Sequence, residues 1–182
     1  AFHNVCRHRA GPLATCNGRG ARNLVCRYHG WTYELDGRLR GAPEMAGAED
    51  FNVADIRLPE VPVETWQGLV FVALDQAAPF DDTVEGISER LGERRLETFE
   101  LKQHASYEIA CNWKVYVDNF LEGYHLPIVH PGLNRLLDYR SYRTEIHNWH
   151  SLQWSPLESA DSDNNFYGNG DALYYFIWPN TM

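Results

Sequence analysis

The chain has 182 residues, 44% of them hydrophobic and 13% aromatic, so it can build a sizeable core and is not a disordered segment. Its formal net charge of −9 argues against nucleic acid or an anionic membrane as partner. No apolar run approaches the roughly 20 residues that span a bilayer, and the N-terminal "AFHNVCRHRA" lacks signal-peptide architecture. The chain opens without Met inside a ligand-bearing segment and stops just after "YYFIWPNTM". It therefore reads as an internal piece of a longer protein, with a cytoplasmic location expected.

Two short motifs come first along the chain. Cys6-x-His8 is followed, after 17 residues, by Cys26-x-x-His29. Two thiolates and two imidazoles suit tetrahedral zinc, although zinc fingers usually keep like ligands together. A binuclear [2Fe–2S] centre uses the same inventory asymmetrically, with two thiolates on one iron and two histidines on the other. Gly11-Pro12 and Gly30 supply turn chemistry beside the ligands, and Asn17-Gly18 is expected to turn the chain between them. Leu24-Val25 reads as a strand entering the second loop, and Trp31-Thr32-Tyr33 as the strand leaving it. Asp36-Gly37 signals a hairpin. "CRHR…CRYHGW" resembles the Rieske signature. Respiratory Rieske proteins carry an extra Cys in each loop and a Ser after the second pair. Here Ala10-Gly11 and Trp31 stand instead, which points to the low end of the potential range, about −150 mV. Cys16 is not expected to be a ligand. Arg7, Arg9 and Arg27 are expected on the surface, where they could also dock acidic groups.

Further on, the apolar run Leu69 to Val72 predicts a buried strand closing a small β-domain. Pro79 and Asp81-Asp82 suit a boundary near residue 80. Val84, Ile87 and Leu91 have helical spacing within 83–95. Phe99 to Cys111 alternates like a strand. Asn112 is a fair N-cap for a helix carrying Trp113, Val117, Phe120, Leu121 and Tyr124. Asp118, Glu122 and His125 then fall on one helix face, and Pro127 is expected to end the helix. His130 can turn back toward His125. Two histidines with nearby acids read as part of a 2-His-1-carboxylate iron site, with open positions for O₂ and substrate.

The two constellations together resemble the alpha (large) subunit of Rieske non-haem iron ring-hydroxylating oxygenases. Its motif D/E-x₃-D/E-x₂-H-x₄-H stands here as Asp118, Glu122, His125 and His130. The resemblance implies an α+β chain. An antiparallel all-β Rieske [2Fe–2S] domain (1–80) precedes the first half of a helix-grip, START-like catalytic domain (81–182). It implies that Cys6, His8, Cys26 and His29 hold the cluster, and that His125 and His130 hold mononuclear Fe(II). Glu122 would bridge to the Rieske histidine of a neighbouring subunit, the residue matching His29, with Asp118 as a second catalytic acid. The third iron ligand of the family is a downstream Asp, expected beyond this chain. Asp138, Asp161, Asp163 and Asp171 do not match it. His3, His104, His147 and His150 are expected to be surface or core histidines. Implied partners are a reductase and possibly a ferredoxin, so that NAD(P)H acts only indirectly. A homotrimer or α3β3 assembly, O₂ and a small organic substrate complete the expectation. Glu rather than Asp at 122 leans toward quaternary ammonium substrates over aromatic rings. The alternative is a Rieske electron carrier without catalytic iron.

Overall fold

The structure is a computed structural model that describes residues 1–157 and 170–182. The chain forms two compact units, Ala1–Gln76 and Ala77–Met182.

In the first unit, β1 (Leu24–Val25), β2 (Thr32–Tyr33) and β3 (Leu39–Gly41) form an antiparallel sheet in that order. Leu24 pairs with Tyr33, and Tyr33 with Leu39. The Asp36-Gly37 hairpin forms as expected. Glu34 N–H donates to the Arg38 carbonyl at 2.8 Å, and the Asp36 carboxylate accepts from Arg38 N–H at 3.1 Å. Cys6, Cys26, Trp31, Tyr33, Leu39 and Leu58 make the core beneath this sheet. The first residues are tied down by long-range bonds. Phe2 bridges Glu60, and Val61 N–H donates to the Ala1 carbonyl at 2.9 Å. Asn4 accepts from Leu13 and Ala14 N–H, both at 2.9 Å, which fixes the chain beyond the first loop. The turn expected at Asn17-Gly18 does not form. Bends fall at Thr15-Cys16 and Arg19 instead, because Asn17-Gly18 joins no pair of strands that would demand a two-residue turn.

β4 (Val63–Trp66) and β5 (Leu69–Val72) pair as a two-stranded ribbon. The strand at Leu69–Val72 exists, but it is not buried: Val70 is 68% and Val72 62% exposed. Apolar runs are covered in three-layer or sandwich arrangements, and a two-stranded ribbon has no such cover of its own.

The second unit begins with α1 (Phe80–Thr83) and α2 (Ile87–Leu91), not one helix over 83–95. Gly86 separates them at φ +73, a left-handed conformation that interrupts a right-handed helix. The apolar spacing still reports packing, since Val84, Ile87 and Leu91 are all buried. Phe99 to Cys111 has no regular structure, and Leu101 (85% exposed) and Tyr107 (84%) face outward. Alternation alone does not make a strand without a neighbour for its N–H and C=O groups.

α3 spans Trp113–Phe120, with the Asn112 side chain accepting from Lys114 N–H at 3.0 Å. α4 (Leu126–Val129) and α5 (Pro131–Asn134) are single turns. An antiparallel sheet of β6 (Arg143–Ile146), β7 (His150–Pro156) and β8 (Asp171–Ile177) follows, in the order β6-β7-β8. Leu126, Leu137 and Ala172 form a core between the short helices and this sheet. Among the described residues no helix is long and apolar enough to cross a membrane.

Candidate iron centres

The two Cys/His segments fold into loops with one hydrogen-bond pattern. In the first, Cys6 N–H donates to the Gly11 carbonyl at 2.8 Å and Ala10 N–H to the Cys6 carbonyl at 3.0 Å. In the second, Cys26 N–H donates to Trp31 at 2.8 Å and Gly30 N–H to Cys26 at 2.9 Å. The fourth residue after each Cys is left-handed: Ala10 at φ 57 and Gly30 at φ 73. The turn residue of the first loop is therefore Ala10, not the expected Gly11-Pro12. Gly11 serves a different need, because a Cβ there would lie 3.0 Å from Cys26 Sγ. The matched closures bring His8 and His29 together, with ring centroids 4.6 Å apart, despite the unequal Cys-to-His spacing.

The four side chains sort by depth. Cys6 and Cys26 are 2% and 3% exposed, while both histidines are exposed. A single tetrahedral ion would draw its four ligands to one depth. An inner pair of thiols and an outer pair of imidazoles fits a binuclear cluster whose inner iron is sulfur-bound and whose outer iron is nitrogen-bound. Neighbouring rings orient the outer pair. His8 stacks on buried Trp31 at 4.8 Å and 8°, and His29 packs on Tyr28 at 3.9 Å. Both remaining cysteines, Cys16 and Cys111, are exposed thiols. Arg7, Arg9 and Arg27 are exposed, with the Arg9 guanidinium 5.8 Å from the centre of the Tyr28 ring.

Tyr33 is a functional candidate that motif reading missed. Its ring is fully buried, its hydroxyl lies 3.3 Å from Cys6 Sγ, and it accepts the Arg7 N–H at 3.0 Å. Burial first, and then the bond to Cys6, push the phenol well above the ordinary tyrosine range. The hydroxyl stays protonated, so against a thiolate it is the donor. The sequence does carry a signal: Tyr33 lies two residues beyond Trp31 on the strand leaving the loop, and thus on the same face. A hydroxyl donor is therefore present although Trp31 supplies none. Removing a donor to sulfur disfavours the more negative, reduced cluster. Tyr33→Phe is expected to lower the midpoint potential by roughly 30–60 mV, since 59 mV corresponds to 1.4 kcal/mol in a one-electron couple. A redox titration of the full-length protein checks this. An unchanged midpoint would show that the hydroxyl does not act on the sulfur.

The second constellation departs from the expected single helix. α3 ends at Phe120, so Asp118 alone of the three residues is helical and they do not share one helix face. Glu122 and His125 sit in the turn that follows. Pro127 does not end a helix either. It occupies the first turn of α4, where a missing N–H costs nothing. The turn is held by Glu122. One carboxylate oxygen is hydrogen-bonded to His125 Nδ1. The other accepts from the N–H of Tyr124 and, at 3.2 Å, of His125. The bond with His125, opposed by desolvation and aided by the two N–H groups, holds this carboxyl below the usual glutamate range. The clamp is therefore complete above the ordinary glutamate pKa and is lost as pH falls through the lowered value. With Nδ1–H on the carboxylate, His125 presents Nε2 as a lone-pair donor, the arrangement that orients metal-bound imidazoles. The His125 and His130 rings are 5.2 Å apart at 71°. Two imidazoles meeting at an angle, one with its tautomer fixed, fit a shared metal ion.

Among the described residues no three His, Cys, Asp or Glu side chains form a complete ion site. Asp138 bonds Ser141 at 2.5 Å and Asp171 pairs with Arg90 at 3.0 Å, while Asp161 and Asp163 lie outside the described residues. His3 and His104 are exposed. His150 is buried at 6% exposure and stacks on His147 at 4.3 Å, and burial lowers its pKa.

A cradle with thiols inside and imidazoles outside, in one unit, and a carboxylate-oriented histidine pair in the other define a class: proteins that couple an iron–sulfur cluster to a mononuclear iron site. Comparison with known proteins agrees. Residues 1–62 match the Rieske [2Fe-2S] domain, and residues 96–182 match the ring hydroxylating alpha subunit (catalytic domain). The chain thus joins a Rieske [2Fe-2S] domain to a ring-hydroxylating alpha-subunit catalytic domain, and these two domains imply a [2Fe–2S] cluster and mononuclear iron. It is 39% identical over 196 residues to choline monooxygenase, chloroplastic, of Arabidopsis thaliana, covering 100% of this chain and 46% of that protein. It is 32% identical over 188 residues to the carnitine monooxygenase oxygenase subunit of Escherichia coli (strain K12), covering 100% and 50%. A solved quaternary ammonium Rieske monooxygenase superposes with a TM-score of 0.83 at 31% identity, over 98% of this chain and 49% of that one. Naphthalene 1,2-dioxygenase superposes with a TM-score of 0.68 at 25% identity, over 85% and 40%. The chain thus spans about half the length of these relatives.

Proposed function

We propose that the protein is the oxygenase component of a Rieske-type monooxygenase that hydroxylates a small quaternary ammonium compound with O₂, taking electrons from a reductase. The observation that carries this reading is the Glu122–His125–His130 arrangement in a chain that also carries a two-tier Cys/His cradle. The substrate class rests on Glu at position 122 and on relatives that act on choline, carnitine and glycine betaine. We place the boundary between cluster-bearing and iron-bearing domains near residue 80, close to where the two compact units meet.

When bound, the cluster supplies one-electron storage and the mononuclear Fe(II) supplies O₂ activation. The chain's residues do the rest. Cys6 and Cys26, both buried, would hold the cluster through sulfur, and Tyr33 would steady the charge on Cys6. His8 and His29, both exposed, would hold it through nitrogen on the side open to a neighbouring subunit. His125 and His130 would hold Fe(II), and Glu122 keeps a proton at His125 Nδ1. Glu122 is itself exposed, which leaves its carboxylate open to a partner histidine in a homotrimer or α3β3 assembly.

In the full-length protein, His125→Ala or His130→Ala is expected to remove the mononuclear iron and turnover while leaving the Rieske spectrum intact. Iron analysis with turnover of choline, carnitine and glycine betaine, set against naphthalene, is the test. Turnover of the aromatic alone would refute the substrate class. Full iron content in both variants would refute the iron site.

A further inference from the structure

We infer that Gln153 and Tyr142, two side chains outside the Rieske motifs, are positioning residues for the iron site, acting on the turn that carries Glu122 and His125. The inference rests on the assignment of His125 as an iron ligand.

Gln153 lies in the middle of β7 and is only 1% exposed. A buried amide is costly unless both its ends are paired. Here both are. Nε2 donates to the Phe120 carbonyl at 2.5 Å, and Oε1 accepts from the Tyr142 hydroxyl at 3.0 Å. The orientation is not arbitrary: a carbonyl only accepts, so the amide nitrogen must face Phe120, which leaves the oxygen for Tyr142. Phe120 is the last residue of α3, and its carbonyl belongs to the final turn, where no intrahelical partner exists. The sheet thus bolts the helix end two residues before Glu122.

The other end of the bridge reaches the turn itself. The Tyr142 ring lies flush against Gly123, where a Cβ would come within 2.7 Å of Cε1 and 2.8 Å of Cζ. Gly123 sits between Glu122 and the Tyr124–His125 pair that Glu122 clamps. The carboxylate therefore holds the turn from within, and Tyr142 holds it from outside. Tyr142 is set in turn by its N–H bond to Tyr139 at 3.2 Å. A stripe of purely apolar side chains would bury this seam equally well. What the amide adds is direction, because its two bonds fix one helix end and one ring relative to the sheet.

The test uses the full-length enzyme with its mononuclear site emptied by chelation and retitrated with Fe(II), and separately with Co(II), whose absorption bands report ligand geometry. Gln153→Met removes both bonds at similar volume. Tyr142→Phe keeps the ring on Gly123 and removes only the hydroxyl. Gln153→Met is expected to bind Fe(II) about 10–100-fold more weakly, as for other changes behind metal ligands, with a shifted Co(II) spectrum and an unaltered Rieske EPR signal. Tyr142→Phe should show a smaller loss in the same direction, and the double variant should bind no worse than Gln153→Met. A purely structural bolt would lower the unfolding temperature without moving the Co(II) spectrum, and that result overturns the inference. If Gln153→Met does not fold, Tyr142→Phe decides, and wild-type Fe(II) affinity with an unshifted spectrum refutes it. His125→Ala runs alongside. If His125→Ala retains iron, the assignment of the iron site has failed. If it loses iron while Gln153→Met does not, only the present inference has failed.

Discussion

Cys6→Ser and His29→Ala are each expected to abolish the rhombic EPR signal of the reduced cluster in the full-length protein, while Cys16→Ser leaves it unchanged. The rhombic signal arises because two thiolates and two imidazoles make the irons inequivalent. Serine at position 6 offers a hard alkoxide where the iron–sulfur unit needs a soft thiolate, and it does so in a pocket closed to water, with Cys6 only 2% exposed. His29 is exposed, so its loss leaves the fold intact and opens one coordination position on the outer iron. Cys16 lies exposed in the segment between the loops. Whole-protein iron and sulfide should fall with the signal in the first two variants. A full signal in either of them would sink the ligand assignment.

Glu122→Gln should reduce product formation by about two orders of magnitude or more while the protein stays folded. Three N–H groups converge on this carboxylate: those of Tyr124, His125 and the His125 ring. An amide has one oxygen to meet them. If that oxygen keeps the backbone bonds, the NH₂ group faces Nδ1 and forces the ring into its other tautomer, with the proton on the nitrogen meant for iron. Amide replacement of an orienting carboxylate in serine proteases costs about 10⁴ in kcat for this reason. Stopped-flow reoxidation of the reduced cluster by O₂, with substrate present, is the measurement. Reoxidation at the wild-type rate would show that Glu122 is on no path between the centres. Glu122→Asp keeps the charge and should recover part of the rate.

The approach of Cys6, His8, Cys26 and His29 to one another was legible because each Cys/His pair lies within one tight loop. The hairpin at Asp36-Gly37 was legible for the same reason. The Glu122 turn was misread in shape. Helical periodicity runs through 113–124, yet α3 ends at Phe120, and the Tyr142 ring lies against Gly123 just beyond it. Periodicity records which side chains seek a core, and it does not record where a distant ring intrudes. Tyr142 and Gln153 were invisible as site residues because Gln153 meets Tyr142 from 11 positions away and Phe120 from 33. Phe99 to Cys111 and Leu69 to Val72 failed in the opposite sense. Their patterns describe surfaces that want cover, and a pattern cannot say whether cover is to hand.

Because each Cys/His loop closes on its own pair of backbone bonds, the geometry of the two loops places no demand on the interval between them. Asn4 anchors the chain at Leu13 and Ala14, and β1 resumes it at Leu24. Everything from Thr15 to Arg22 is exposed spacer. Evolution is free to lengthen, shorten or recharge that stretch without retuning the metal. A search for distant kin should therefore require the closure after each cysteine and leave the gap between them unspecified. The same stretch is where a reporter peptide could be spliced in with the cluster left as it is.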